Sequence, residues 1–233
     1  MSHAAAPAHA IPLPPCPAHF HPDEWAARQE LAACYRVFAM LGWVEMIYNH
    51  ITLRVPDSVS GADKHFLINP FGLHYTEVTA SNLVKINLKG EVVDGSAQRV
   101  NPAGFVVHSA IHAALDQAHC VMHTHTTSGL AVACYEGGLQ PDNFYSAQLH
   151  GMVAYHDFEG ITVHLDEGGR ILDSSHGMPV LLLRSHGPVT IGFNLANAFS
   201  LMWLVNRACE VQLAAQSMGP TLPIPVPVLE RCV

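Results

Sequence analysis

The stretch Cys120-Val121-Met122-His123-Thr124-His125 decides how the chain is read. Its apolar start has the form of a short buried strand, and two imidazoles stand one residue apart at its end. Alternate side chains on a strand project from one face, so both rings can point at a single ion. A second run, Leu181-Leu182-Leu183-Arg184-Ser185-His186-Gly187-Pro188, carries a third histidine from a buried segment into a turn. Three neutral imidazoles with no fourth protein ligand describe an open metal site suited to chemistry, rather than a sealed structural one. The alternative for His123 and His125 is a pair of strand histidines satisfied by backbone carbonyls. Two such rings on one face would each need a partner, which favours ligation.

At 233 residues the chain is long enough for one substantial core and short for two. Almost half of it (49%) is apolar and only 13% is charged, a balance that excludes extensive disorder. So little charge also points to apolar surface covered by other subunits. The net charge of -8, with no cluster of Lys or Arg, argues against a nucleic-acid partner. No apolar stretch is long enough to span a bilayer. Met1 to His21 lacks the basic-then-apolar pattern of a secretory signal, and the six cysteines have no paired spacing. They are read as reduced thiols in a cytoplasmic protein, not as zinc ligands.

Three regions are expected: a flexible Pro/Ala/His-rich arm over 1-21, one layered α/β domain over 22-219, and a Pro-rich tail over 220-233. Pro22-Asp23-Glu24 opens an amphipathic helix from about Glu24 to Leu41. Further helices are expected from Asn101 to about Asp116, Thr127 to Tyr135, Phe144 to Leu149, Gly168 to Ser175, and Leu195 to Ser217. Strand patterns fall around Asn49-Val55, His65-Asn69, Leu83-Leu88, Met152-Tyr155, Ile161-His164, Val180-Arg184 and Val189-Ile191. Turn residues Pro70-Phe71-Gly72 and Lys89-Gly90-Glu91 separate several of them.

From about Trp25 to Met218 the chain resembles the class II aldolase/adducin family. The segments that carry the likeness are Tyr48-Asn49-His50-Ile51-Thr52, Ile68-Asn69-Pro70-Phe71-Gly72-Leu73, Asn101-Pro102-Ala103-Gly104-Phe105 with His108, Val121 to Thr126, Val153 to Gly160, and Ser185-His186-Gly187. The resemblance implies a three-layer α/β/α sandwich with a largely antiparallel central sheet. It also implies a homotetramer with active sites between subunits, and His123, His125 and His186 as ligands of zinc, with manganese or iron as other candidates. In the sugar-phosphate aldolases of the family a Glu serves as acid/base. That position, nineteen residues before the first ligand, is Gly104 here. Pro102 and Ala103 stand where those enzymes bind substrate phosphate through a Ser pair. These departures match the adducin-like branch.

By the same resemblance Asn49, Asn69 and Gly72 fall where substrate is held through loop amides; simple turn chemistry is the other reading. Gly104 is expected to leave room for a bulkier or carboxylated substrate. With no Glu there, His108, Tyr145 and His150 are the candidates for moving protons. His108 and His112, four apart on one helix face, are first expected to lie behind the ligands or in the core. Arg184 is expected to pair with an acidic residue rather than with a substrate carboxylate. The expected function is a metal-dependent lyase that cleaves a C-C bond in a small hydroxy-carbonyl or carboxylated molecule. A non-catalytic adducin-like interaction module and a non-haem-iron oxygenase on the same three histidines are the alternatives, because fold does not fix reaction. Since imidazole must be deprotonated to bind metal, affinity is expected to fall as pH drops through about 6.

Overall fold

Helix α1 (Pro22–Met40) starts as its sequence dictates. The His21 ring nitrogen accepts from the Asp23 amide, Pro22 occupies the first turn, and Asp23 and Glu24 complement the positive end of the helix. In this computed structural model, which describes residues 14–161 and 166–233, the chain then lays down a sheet between two helical layers. The elements are β1 (His50–Arg54), α2 (Asp57–Ser60), β2 (His65–Ile68), β3 (Val84–Asn87), α3 (Pro102–Ala114), β4 (Cys120–His123), α4 (Thr127–Cys134) and α5 (Phe144–Ala147). β5 (Val153–His156), α6 (Glu167–Ser175), β6 (Val180–Leu183), β7 (Gly187–Gly192), α7 (Leu195–Met218) and α8 (Val226–Leu229) follow. The strand expected at Ile161-His164 lies outside the described residues from 162 onward.

Seven strands pair in the order β3-β2-β1-β4-β7-β6-β5. Every pairing is antiparallel except β5 with β6, which α6 connects as a crossover. The pleat sorts side chains to opposite faces. Ile51, Leu53, Cys120 and Met122 pack with Leu31, Tyr35 and Phe38 of α1 and with Met202 and Val205 of α7. Val121, Val189 and Ile191 turn the other way, onto Val107 and Ile111 of α3 and Ile171 of α6. The result is the expected α/β/α sandwich.

Residues 14-21 lie along α1: the Trp25 indole donates to the Pro14 carbonyl, and Phe20 stacks on Trp25. At the other end of the chain α8 buries Leu229. Arg28 ties α1 to the sheet. Its guanidinium is 1% exposed and donates to Glu24 at 2.8 Å, to the Leu83 carbonyl at 2.6 Å and to Asp94 at 3.0 Å, with Lys85 completing the ion network on Glu24. Removing Arg28 leaves Asp94 without this cation and the buried Glu24 with Lys85 alone. Arg28→Ala is expected to cost about 3–5 kcal/mol in denaturant unfolding; a loss below about 1 kcal/mol, the range of an exposed pair, would contradict that role.

Candidate metal centre

The pairing of β1 with β4 sets His50 directly opposite His123, and the pairing of β4 with β7 sets His123 opposite Val189. His123 therefore ends a buried strand with its ring 2% exposed. Its Nδ1 lies 3.0 Å from the Pro188 carbonyl, which can only accept, so Nδ1 carries the proton and Nε2 the lone pair. Among the described residues that buried Nε2 has no hydrogen-bond partner. An orphaned imidazole nitrogen of this kind is costly, and ligation of a cation removes the cost.

His125 arrives two residues later. Its backbone amide donates to Asn49 Oδ1 at 2.6 Å, and its ring stacks on Tyr48 with centroids 5.4 Å apart. His186 comes from the three-residue turn between β6 and β7, where Ser185 (φ 54) and Gly187 (φ 153) take left-handed backbone. A side chain at Gly187 would collide with the Thr124 carbonyl, so only glycine lets this turn close on the β4 loop. The three rings form a nearly equilateral set with centroids 4.7, 4.8 and 4.8 Å apart, and their ligand nitrogens all lie within 4.8 Å.

They line a cavity of about 380 Å³ whose other walls include His50, Tyr48, Leu130, Phe158 and Ile161. No Lys or Arg stands among its described lining residues. Burial, together with the neighbouring histidines, holds His123 well below the ordinary imidazole range. Burial lowers His125 as well. His186 is brought down to about 4 by burial and by His125 and His156. All three are neutral, ligand-ready rings at pH 7.

The remaining expected residues fall in different places. Asn49 is buried and spends its amide on His125 and Glu45, so it positions the centre rather than facing the cavity. Asn69 accepts from the Tyr35 hydroxyl at 2.8 Å and donates to the Pro70 carbonyl. Gly72 has φ 85 and open space around it, so turn geometry accounts for it. Tyr145 lies edge-on to Trp203, and His150 lines a separate hollow with Leu139 and Tyr155; within one chain neither reaches the cavity. Arg184 differs from its expected ion pair: it stacks on Tyr155 at 4.2 Å and donates to the Tyr135 carbonyl.

Gly104 requires a correction. The space beside it is not vacant: a Cβ there would stand 2.5 Å from Cδ2 of His50. His50 and Thr52 were not singled out by the sequence, although strand periodicity puts both on the face of His123, and His108 and His112 face them from α3.

The chain belongs to the family described as the Class II Aldolase and Adducin N-terminal domain, whose model matches residues 29–213. It is 46% identical to α-adducin of Rattus norvegicus over 83% of this chain but only 26% of that protein. A protein of Caulobacter vibrioides provisionally named aldolase class 2 is 44% identical, over 84% of this chain and 75% of its own length. Among solved structures, an aldolase II superfamily protein from Pseudomonas syringae superposes with a TM-score of 0.86 at 42% identity, covering 91% of this chain and 86% of that one. L-fuculose 1-phosphate aldolase from Glaciozyma antarctica PI12 gives 0.81 at 30% identity, covering 94% and 85%.

The depressed imidazoles move the pH dependence of metal retention. A ring whose pKa is lowered stays deprotonated as pH falls below the ordinary 6.5, so proton competition starts later than for free histidine. Metal content after equilibration at stepped pH is expected to hold at pH 5.5 and to drop as pH falls through about 4, where His186 gains its proton. Half-release above pH 6 would contradict this.

Proposed function

We propose that the protein is a metal-dependent carbon–carbon lyase of the class II aldolase type, with His123, His125 and His186 holding one divalent cation. The observation that carries the reading is the buried Nε2 of His123, without a hydrogen-bond partner among the described residues, beside two further imidazoles in an open cavity. Three nitrogen ligands and no protein oxygen suit zinc, with manganese or iron as substitutes. When bound, the ion supplies Lewis acidity to a substrate carbonyl or hydroxyl oxygen. The chain's own groups do the rest. The Pro188 carbonyl fixes the His123 tautomer, Asn49 holds the His125 backbone, and Tyr48 and Leu130 line the cavity beside the three rings.

The substrate is a small hydroxy-carbonyl or hydroxy-acid rather than a sugar phosphate. No cationic side chain stands in the described wall to meet a phosphate, and Pro102 and Ala103 bring no hydroxyl donors. Tyr48, Phe158 and Ile161 are exposed at the cavity, which supports association with neighbouring subunits that cover that rim, for which a homotetramer is the proposed form; a cytoplasmic location is proposed with it. The identity to α-adducin favours a second reading, a scaffold with a residual metal site.

Turnover by the zinc-loaded protein decides between them. A panel of hydroxy-acids, hydroxy-ketones and sugar phosphates is expected to show cleavage among the unphosphorylated members. His123→Ala is expected to lose its zinc and at least 100-fold in rate together. Efficient cleavage of a sugar phosphate would overturn the substrate class. Metal binding without any turnover would favour the scaffold.

A further inference from the structure

The cavity has a fourth imidazole that the chemistry above leaves without a task. His50 is 5% exposed, lines the cavity, and lies 5.0 Å from His123 between ring centroids. Behind it a string of hydrogen bonds runs into the layer beneath α3. His50 Nδ1 is 2.8 Å from His108 Nε2, and His108 Nδ1 is 2.7 Å from Thr52 Oγ1. Thr52 Oγ1 is also 2.7 Å from His112 Nε2, and His112 Nδ1 is 2.8 Å from the Ala118 carbonyl.

The last contact sets the direction of all the others. A carbonyl only accepts, so the proton of His112 sits on Nδ1. A neutral imidazole has one N–H, so His112 Nε2 is a lone pair and the Thr52 hydroxyl must donate to it. The Thr52 oxygen then accepts from His108 Nδ1, which leaves His108 Nε2 as the acceptor for His50 Nδ1–H. The one valence left over is the lone pair on His50 Nε2. None of the hydrogen bonds of His50 among the described residues uses that nitrogen. Reversing any link would set two lone pairs, or two N–H groups, against each other across 2.7–2.8 Å.

We propose that His50 is the catalytic residue that takes up and returns the substrate proton, with His108, Thr52 and His112 as positioning residues that hold its Nε2 lone pair toward the cavity. Gly104 is part of the same device, because any side chain there would displace the His50 ring. The proposal rests on the lyase reading for its reaction, though not for its hydrogen-bond polarity. With a hydroxy-ketone, the C–H bond next to the carbonyl breaks and its electron pair stays on the substrate. The proton bonds to His50 Nε2, and the positive charge is shared with His108 through the Nδ1–H contact. Return of a proton to carbon restores the string.

Two measurements on the zinc-loaded protein test this. Neutron diffraction is expected to show deuterium on Nδ1 of His50, His108 and His112, with His50 Nε2 bare; deuterium on His50 Nε2 instead of Nδ1 overturns the assignment. Exchange of the methylene hydrogens of hydroxyacetone with D2O reads the proton step. His50→Gln is expected to slow exchange at least 100-fold at unchanged zinc content. Thr52→Val, which only breaks the string, is expected to slow it about tenfold, and Thr52→Ser to restore it. Exchange within threefold of wild type in both His50→Gln and Thr52→Val would overturn the proposal. Absence of exchange in the wild type would count against the lyase reading instead, and the neutron result would then decide the His50 assignment alone.

Discussion

The antiparallel pairing of β1 on β4 is the constraint from which the rest of the site follows. It places His50 across from His123 and Thr52 across from Val121, all on the face that α3 covers. The opposite face of the same two strands supplies Ile51, Leu53, Cys120 and Met122 to the larger core with α1 and α7. A one-residue slip would exchange these faces, driving imidazoles into that core and apolar groups into the cavity. The burial that stabilises the sandwich is thus also what fixes the register of the histidines. The β6–β7 turn adds the third ring through a glycine that no other residue can replace.

Two backbone carbonyls give the site its chemical sense. Pro188 orients His123 with its lone pair inward, and Ala118 orients His112 and, through Thr52, two further rings. Each is a fixed acceptor that resolves an otherwise ambiguous tautomer. The histidines are therefore held neutral and directional, which is the condition for both ligation and proton transfer. Within a family whose structures include sugar-phosphate aldolases, Gly104 reads as more than a deleted carboxylate. His50 stands where a side chain at 104 would go.

Much of this was legible in the sequence. The strand signal before His123, the turn around His186 and the spans of α1, α4 and α7 all rest on local chemistry, and the structure forms them near their expected bounds. Gathering of the three histidines was legible through spacing together with the family resemblance. The His50–His108–Thr52–His112 string was not, because it joins a strand to a helix more than fifty residues away, and only strand register reveals the match. The reading of Gly104 as empty space failed for the same reason: a glycine in sequence does not say which neighbour occupies its volume. Arg184 missed its expected ion pair because the nearby partners were an aromatic ring and a carbonyl.

The proposed chemistry depends on one cation held by His123, His125 and His186 with open coordination. Zinc K-edge X-ray absorption on the reconstituted protein tests it most directly. The expected spectrum has three nitrogen scatterers at about 2.0–2.1 Å with the multiple-scattering pattern of imidazole, plus one or two light oxygen donors from solvent. A sulfur scatterer near 2.3 Å, or a fourth protein nitrogen closing the shell, would contradict it.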